Sequence, residues 1–331
     1  MFDDSALDDP RVLASRGAFV EWLALSGARL RRESDTTIRW AADRILAVNT
    51  AVSSIMVVGR DAGVVRAVVE PTAKAKVIDW SGPDLPTWAG PLDVLVVLGP
   101  SSHWGDLCAQ ARRRGLVVIV LTWRADDDHV IADAVIRLGD ADRLVGLVAA
   151  WELLGLAQVS SPTSREVLAA RADAVACGCG PAHHLGANPA KNLACAMADA
   201  AVLIWSDTVV AARAAQRMAE GLREVSRPWA LAVDDTQALA ILRGCPRRDP
   251  FADPVDDQTL GSKVVLVMMR EFSASGGSHD SSQVARVALS RGVRVETITT
   301  DESDPVSRYV DLCQQGLFAV AYVGMASMEE R

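Results

Sequence analysis

Residues 92–122 read LDVLVVLGPSSHWGDLCAQARRRGLVVIVLT. The apolar run Val94 to Leu98 breaks at Gly99-Pro100-Ser101-Ser102. An amphipathic stretch follows from Trp104 to Arg114, Gly115 stops it, and a second apolar run covers Leu116 to Leu121. Apolar runs of this length suit strands buried on both faces, and the helix-length segment between them predicts a parallel βαβ unit. Ser101 and Ser102 fall where the first strand hands over to a helix N-terminus. Free backbone N–H groups and the positive end of the helix dipole meet there. Two roles stay open for these hydroxyls: capping the helix, or helping to hold an anion such as a phosphate.

The same rhythm extends outward from this unit. Upstream, residues 10–32 and 34–49 are expected as helices, Ile55 to Val58 as a strand, 63–70 as a helix and Lys76 to Asp79 as a short strand. A loop rich in Pro, Gly and Trp runs from Trp80 to Pro91. Downstream, Asp133 to Leu138 is expected as a strand and Leu144 to Leu156 as a helix. This is the pattern of a doubly wound, flavodoxin-like sheet. Ser160-Ser161-Pro162-Thr163 marks a boundary, with a helix capped by Thr163 or Ser164 running through Ala172. The second half repeats the theme. Strands are expected at 201–205, 229–233, 264–268 and 293–297, and helices at 207–224, 283–291 and 308–325. The expected organisation is an N-terminal helix in 1–34, a first α/β domain in 35–160 and a second in 161–331, related by structural duplication.

Composition narrows the function classes. The 331 residues are half apolar and carry a net charge of −8, with pI near 5.2. A nucleic-acid binder needs a basic face, so nucleic acid is not an expected partner. A locally positive pocket for a small anion is still compatible with an acidic chain. The segment Met1 to Pro10 has no apolar core like that of a secretory signal, and no uncharged apolar stretch reaches the ~18 residues of a membrane span. Six cysteines without framework spacing fit a reducing cytoplasm. Only four lysines, Lys74, Lys76, Lys191 and Lys263, stand among 34 basic residues.

Placed in order, these pieces resemble the SIS-domain (sugar isomerase) family. Within it they are most similar to the bifunctional phosphoglucose/phosphomannose isomerase branch, in particular the TobH-type proteins of actinobacteria. The resemblance covers residues 35 to 326 and has four supports. Leu95 to Thr122 is similar to the family's strand, Ser/Thr-rich phosphate loop, helix and strand. Arg143 precedes LVGLVAAWELLG where the family has an arginine opening a helix. Asn188-Pro189-Ala190-Lys191 matches the family's N-P-A-K element, and Gly316-x-Phe318-x-x-x-Tyr322 matches the spacing of its C-terminal helix.

The resemblance implies two doubly wound SIS subdomains, a homodimer, and a phosphosugar bound between domains. It also implies aldose–ketose isomerisation through an enediol, which needs a carboxylate base, a histidine for ring opening and a cation for the oxyanion. On this chain those roles fall to Asp234 or Asp235 as base and His279 for ring opening. Ser101, Ser102, Arg143, Gly59, Arg60 and Lys191 are left to hold the phosphate. No metal or other cofactor is expected.

Several functional positions depart from the family pattern. The first loop is Gly59-Arg60-Asp61-Ala62-Gly63, in which Asp61 repels a phosphate unless Arg60 offsets it. Pro100 removes a backbone donor from the second loop. Pro228 to Asp249 holds neither Glu nor His, and the family's C-terminal lysine has no counterpart. Two functions therefore follow as expectations: a sugar-phosphate-binding protein of carbohydrate metabolism with isomerase activity through substitute residues, or a non-catalytic regulator or structural partner of a sugar-phosphate enzyme. Other constellations read more plainly. Cys177-x-Cys179 with His183-His184 lacks a standard zinc spacing. Lys191 can face the phosphate or the domain interface, while an N-cap role for Asn188 with Pro189 at the first helical position explains three of the four motif residues structurally.

Overall fold

The apolar runs are strands covered on both faces, as their composition demands. In the computed structural model, which describes residues 2–33, 35–48, 52–100, 103–124, 131–139, 141–225, 229–246, 263–271 and 283–327, Ile55 to Val58, Val94 to Val97 and Val118 to Val120 have no solvent exposure. The chain forms two units, one of Ser26–Ala170 and one of Met1–Leu25 with Arg171–Arg331.

These bounds differ from the expected 35–160 and 161–331, and local features explain the difference. The N-terminal segment is not one helix over 10–32. It is three short ones, α1 (Pro10–Arg16), α2 (Ala18–Ala24) and α3 (Ser26–Arg32). Gly17 closes α1, its N–H bonded to the Leu13 carbonyl at 2.7 Å. Helices α1 and α2 belong with the C-terminal half, to which the N-terminus is tied by a bond from the Asp3 N–H to the Ala326 carbonyl.

In the first unit, α4 (Asp35–Leu46), β1 (Ser54–Val58), α5 (Ala62–Val69), β2 (Lys76–Asp79), β3 (Asp93–Leu98), α6 (Gly105–Arg113), β4 (Val117–Thr122), β5 (Ala134–Arg137) and α7 (Arg143–Leu156) follow in order. The sheet is all parallel with strand order β2-β1-β3-β4-β5. Val94 to Val97 therefore lie between β1 and β4, at the centre of the sheet. Helix α7 is apolar nearly all round and accordingly buried, Trp151 included. Leu85 and Ala89 of the Trp80–Pro91 loop are buried in the core cluster that also holds Leu107, Cys108 and Ala111 of α6.

The helix expected to end near Ala172 continues instead as α8 (Arg165–Cys179), so the division between units falls inside a helix. The second unit then comprises α9 (Pro189–Met197), β6 (Ala200–Ser206), α10 (Val209–Glu224), β7 (Ala230–Val233), α11 (Asp235–Gly244), β8 (Lys263–Glu271), α12 (Gln283–Ser290), β9 (Arg294–Thr300) and α13 (Pro305–Ala326). Its sheet is parallel with order β7-β6-β8-β9. Both sheets thus share one connectivity over four strands, and each carries one long buried helix, α7 or α13. The duplication expected from the sequence is present in topology.

No helix among the described residues is long and apolar enough to cross a membrane. All six cysteines are free thiols. Cys108 and Cys179 are buried, and burial pushes both thiols up to about 11.

Candidate functional site

In an open parallel sheet the ligand crevice lies beyond the carboxyl ends of the strands, where the strand order reverses. In the first unit that point lies between β1 and β3. Both strands end on a glycine in the left-handed region, Gly59 at φ +120° and Gly99 at φ +116°. The two turns are close: a Cβ on Gly59 would lie 2.2 Å from the Leu98 carbonyl oxygen. The space beside Gly99 is open apart from the Trp123 ring at 3.6 Å. Gly59→Ala should therefore cost more than Gly99→Ala. Both carry backbone strain of about 1–3 kcal/mol, but only Gly59→Ala adds a clash with a main-chain atom. Urea unfolding of the two variants checks the order.

Asp61 follows Gly59 and occupies the N-cap position of α5, yet makes no side-chain capping bond. Its carboxylate instead receives the guanidinium of Arg143, the first residue of α7. Arg143 Nε lies 2.9 Å from Oδ2 and 3.1 Å from Oδ1, and Nη2 also donates to Oδ1. Both side chains are mostly buried. Arg143 is held at its root, because its neighbour Asp142 caps α7 through the Leu144 N–H at 2.8 Å and pairs with buried Arg29 at 2.8 Å. Of the residues expected to hold a phosphate, Gly59 and Arg143 thus meet at one sheet end. Arg60 is exposed in the same turn. Ser101 and Ser102 lie outside the described residues. Trp104, not a serine, stands at the N-cap of α6, and it packs against the core of the first sheet.

Lys191 is placed elsewhere. It is 1 % exposed and faces neither a sheet end nor solvent. Its ammonium donates to Asp8 Oδ1 at 2.8 Å and to the His183 carbonyl at 2.8 Å, and sits 5.4 Å from the centre of the Tyr322 ring. Asn188 caps α9 by accepting from the Ala190 and Lys191 N–H groups, and its amide nitrogen donates to the carbonyls of Cys179 and Gly180. The Tyr322 hydroxyl donates to the same Cys179 carbonyl at 2.9 Å. The N-P-A-K element and the C-terminal Gly-Phe-Tyr spacing therefore meet each other. Both build the second unit: Asn188 caps α9 with Pro189 at its first position, and Lys191 pairs with Asp8 of the N-terminal segment.

The second unit has its own cavity of about 550 Å³ beside the carboxyl ends of β6 and β7, lined by Asp207, Thr208, Arg213, Asp234, Asp235 and Gln237 among others. The two aspartates expected as bases are both there, but both have structural partners. Asp234 forms a capping box with Gln237, accepting its N–H at 2.8 Å, and Asp235 accepts from the Trp205 indole N–H at 2.7 Å. Asp207 was not read from the sequence. Burial raises its carboxyl above the ordinary range, opposed by the Glu271 N–H that it accepts at 3.3 Å. Nearby, Glu271 at the end of β8 accepts from the Thr208 hydroxyl at 2.5 Å and from Arg308 Nη1 at 2.7 Å. Thr208 caps α10, and Arg308 lies in the first turns of α13. His279 lies outside the described residues. Among the described residues no group of His, Cys, Asp and Glu is arranged to hold a metal ion. Cys177 and Cys179 stand at the end of helix α8, and the Gly-Pro stretch that follows is a turn.

Solved structures match this architecture over most of its length. A protein of Silicibacter pomeroyi provisionally assigned as a phosphosugar isomerase superposes with a TM-score of 0.63 at 11 % identity, covering 90 % of this chain and 95 % of the other. The C-terminal domain of glucosamine-fructose-6-phosphate aminotransferase from Francisella tularensis gives 0.61 at 10 % identity, covering 95 % of each chain. The fold is that of the phosphosugar isomerases. A glucose-6-phosphate isomerase-like protein of Thermus thermophilus gives 0.50 at 14 % identity, over 88 % of this chain and 90 % of the other. No protein-family model matches the sequence, and no curated protein matches it. At 10–14 % identity the fold is what these structures share with this chain.

Proposed function

We propose that this protein binds a sugar phosphate at the carboxyl end of the first sheet, as a relative of the bifunctional phosphoglucose/phosphomannose isomerase branch acting in carbohydrate metabolism. The observation that carries the reading is Arg143. It brings a planar fork of N–H donors to the strand-order reversal, beside two glycine turns that keep side chains out of the crevice. Such a fork suits phosphate oxygens better than a point charge does. The proteins that share the fold and are assigned to phosphosugars support the same ligand class. Ser101 and Ser102 are the hydroxyls expected to complete the contact, and a homodimer is the expected assembly.

Calorimetric titration with fructose, glucose and mannose 6-phosphates, each beside its unphosphorylated sugar, tests the reading. The phosphorylated sugars should bind and the parent sugars should not. Arg143→Ala should weaken binding about 10- to 100-fold, the worth of a charge-assisted bond pair. Absence of binding by every hexose phosphate, or equal binding by Arg143→Ala, overturns it.

A second reading is catalytic, and Asp207 favours it. Aldose–ketose isomerisation takes a proton from one carbon and returns it to its neighbour, so it needs a carboxylate positioned to take up and return a proton. Asp207 has raised proton affinity and lines a cavity with Asp234 and Asp235. Turnover of fructose 6-phosphate that disappears in Asp207→Asn supports this reading. Absence of turnover in the parent protein leaves binding without isomerisation, the role of a sensor or of a partner to a sugar-phosphate enzyme.

A further inference from the structure

The carboxyl end of the first sheet carries an anion that belongs to the chain itself. Asp61 stands at the N-cap of α5, where the helix dipole favours negative charge. A capping aspartate ordinarily spends its carboxylate on the N–H groups of the first turn, and Asp61 does not. Its carboxylate turns to Arg143 and takes both Nε and Nη2 in the side-on geometry with which guanidinium receives a phosphate. The second unit repeats the device with different residues. Glu271, at the carboxyl end of β8, takes the Arg308 guanidinium and the hydroxyl of Thr208, which caps α10. In each unit an arginine from the start of the long buried helix is met at the sheet end by a carboxylate of the same unit.

We infer that Asp61 is a built-in competitor for the anion site, a carboxylate that occupies Arg143 until a phosphate displaces it and so sets how tightly phosphates bind. The inference rests on reading Arg143 as the phosphate anchor. A receptor group open in only a fraction of molecules binds more weakly by that fraction. If Asp61 holds Arg143 in 90–99 % of molecules, it weakens phosphate binding about 10- to 100-fold. Asparagine is as good an N-cap as aspartate, so Asp61→Asn should remove the competing charge without disturbing α5.

The experiment is calorimetric titration of the full chain with inorganic phosphate and with glucose 6-phosphate. The proteins compared are the parent, Asp61→Asn, the double variant Asp61→Asn/Arg143→Ala, and Asp79→Asn. Asp79 pairs with Arg66 at 2.9 Å at the end of β2, so Asp79→Asn removes an equal charge from the same unit without touching the pair in question. Asp61→Asn should bind both anions about 10- to 100-fold tighter than the parent. The gain should vanish in the double variant, and Asp79→Asn should bind like the parent.

Equal or weaker binding by Asp61→Asn overturns the inference. So does a gain that survives loss of Arg143, or an equal gain in Asp79→Asn, because either result traces the effect to overall charge. If Asp61→Asn is not folded by circular dichroism, Asp61→Ser, which also caps, takes its place. The outcomes separate this inference from the proposed function. Binding by the parent without a gain in Asp61→Asn keeps the function and removes the competitor. Binding by Asp61→Asn alone keeps the competitor and removes the function. Binding by neither removes both.

Discussion

Asp142→Ala should destabilise the first unit by about 3–5 kcal/mol, the typical cost of removing one partner from a buried ion pair. The carboxylate has two duties. Oδ2 receives Arg29 Nε at 2.8 Å and Oδ1 receives the Leu144 N–H at 2.8 Å. Only 7 % of the Arg29 side chain and 3 % of that of Asp142 are exposed. After the substitution the buried guanidinium loses the Asp142 carboxylate, and the Ser26 hydroxyl, 3.0 Å from Nη2, is a neutral acceptor that does not replace that charge. Helix α7 also loses its cap, a contribution of about 1 kcal/mol. Asp142→Asn keeps a cap but not the charge, so its deficit reports the ion pair alone. Arg29→Met/Asp142→Asn should recover part of the loss, because no unpaired charge then remains buried. Urea unfolding curves measure all three. A loss below about 1 kcal/mol in Asp142→Ala would mean that Arg29 reaches solvent and that the pair behaves like a surface one. Because Asp142 anchors the first turn of α7, the same variant should also loosen Arg143.

Much of this fold is legible in the sequence because its central strands are short apolar runs, β1 and β3 each ending at a glycine. Lys76 to Asp79 is read to the residue, and β3, α6 and β4 to within one or two. The errors lie where local pattern and tertiary context disagree. Residues 10–32 have helical apolar spacing throughout, but Gly17 ends one helix and Leu25 ends the next. Helix α11 was missed, although Asp234-Asp235-Thr236-Gln237 is a D-x-x-Q capping box ahead of a helix. That signal places both aspartates at a helix start and reveals their structural duties. The anion end of the first sheet was half legible. Gly59 and Asp61 mark a turn, and Arg143 opens a helix, but the two charges are 82 residues apart in sequence. Nothing in either segment says that one carboxylate satisfies the other's guanidinium. Glu271, Thr208 and Arg308 were invisible for the same reason. The N-P-A-K resemblance assigns Lys191 to the phosphate. The lone lysine in an apolar helix instead pairs with Asp8, 183 residues away, in a segment with no apolar pattern to suggest docking.

That pairing yields the second large effect. Asp8→Ala should destabilise the second unit by about 2–4 kcal/mol, somewhat less than a fully buried pair costs, because Asp8 is itself a third exposed while Lys191 is not. Without Asp8 the ammonium keeps the His183 carbonyl and the face of Tyr322, so part of its solvation is replaced. The carboxylate also accepts the Leu185 N–H at 3.1 Å, and that bond is lost too. Asp8 therefore fastens the N-terminal segment to the loop before α9. The bond from the Lys191 ammonium, followed by that from the Leu185 N–H, holds the Asp8 carboxyl below its ordinary 3.8 against the opposing effect of burial. A carboxyl with a lowered folded-state pKa binds protons more weakly folded than unfolded. Its stabilisation is complete above about pH 4 and is lost as pH falls through the lowered value. The parent protein should thus lose stability more steeply than Asp8→Ala as pH falls below about 4, and the two unfolding midpoints should converge there. Parallel curves over that range would show that Asp8 carries no lowered pKa in the folded state and that its contribution is packing alone. Lys191→Met separates charge from volume. It fills the same space among apolar neighbours, removes the buried ammonium, and leaves Asp8 with access to water, so it should cost less than Asp8→Ala.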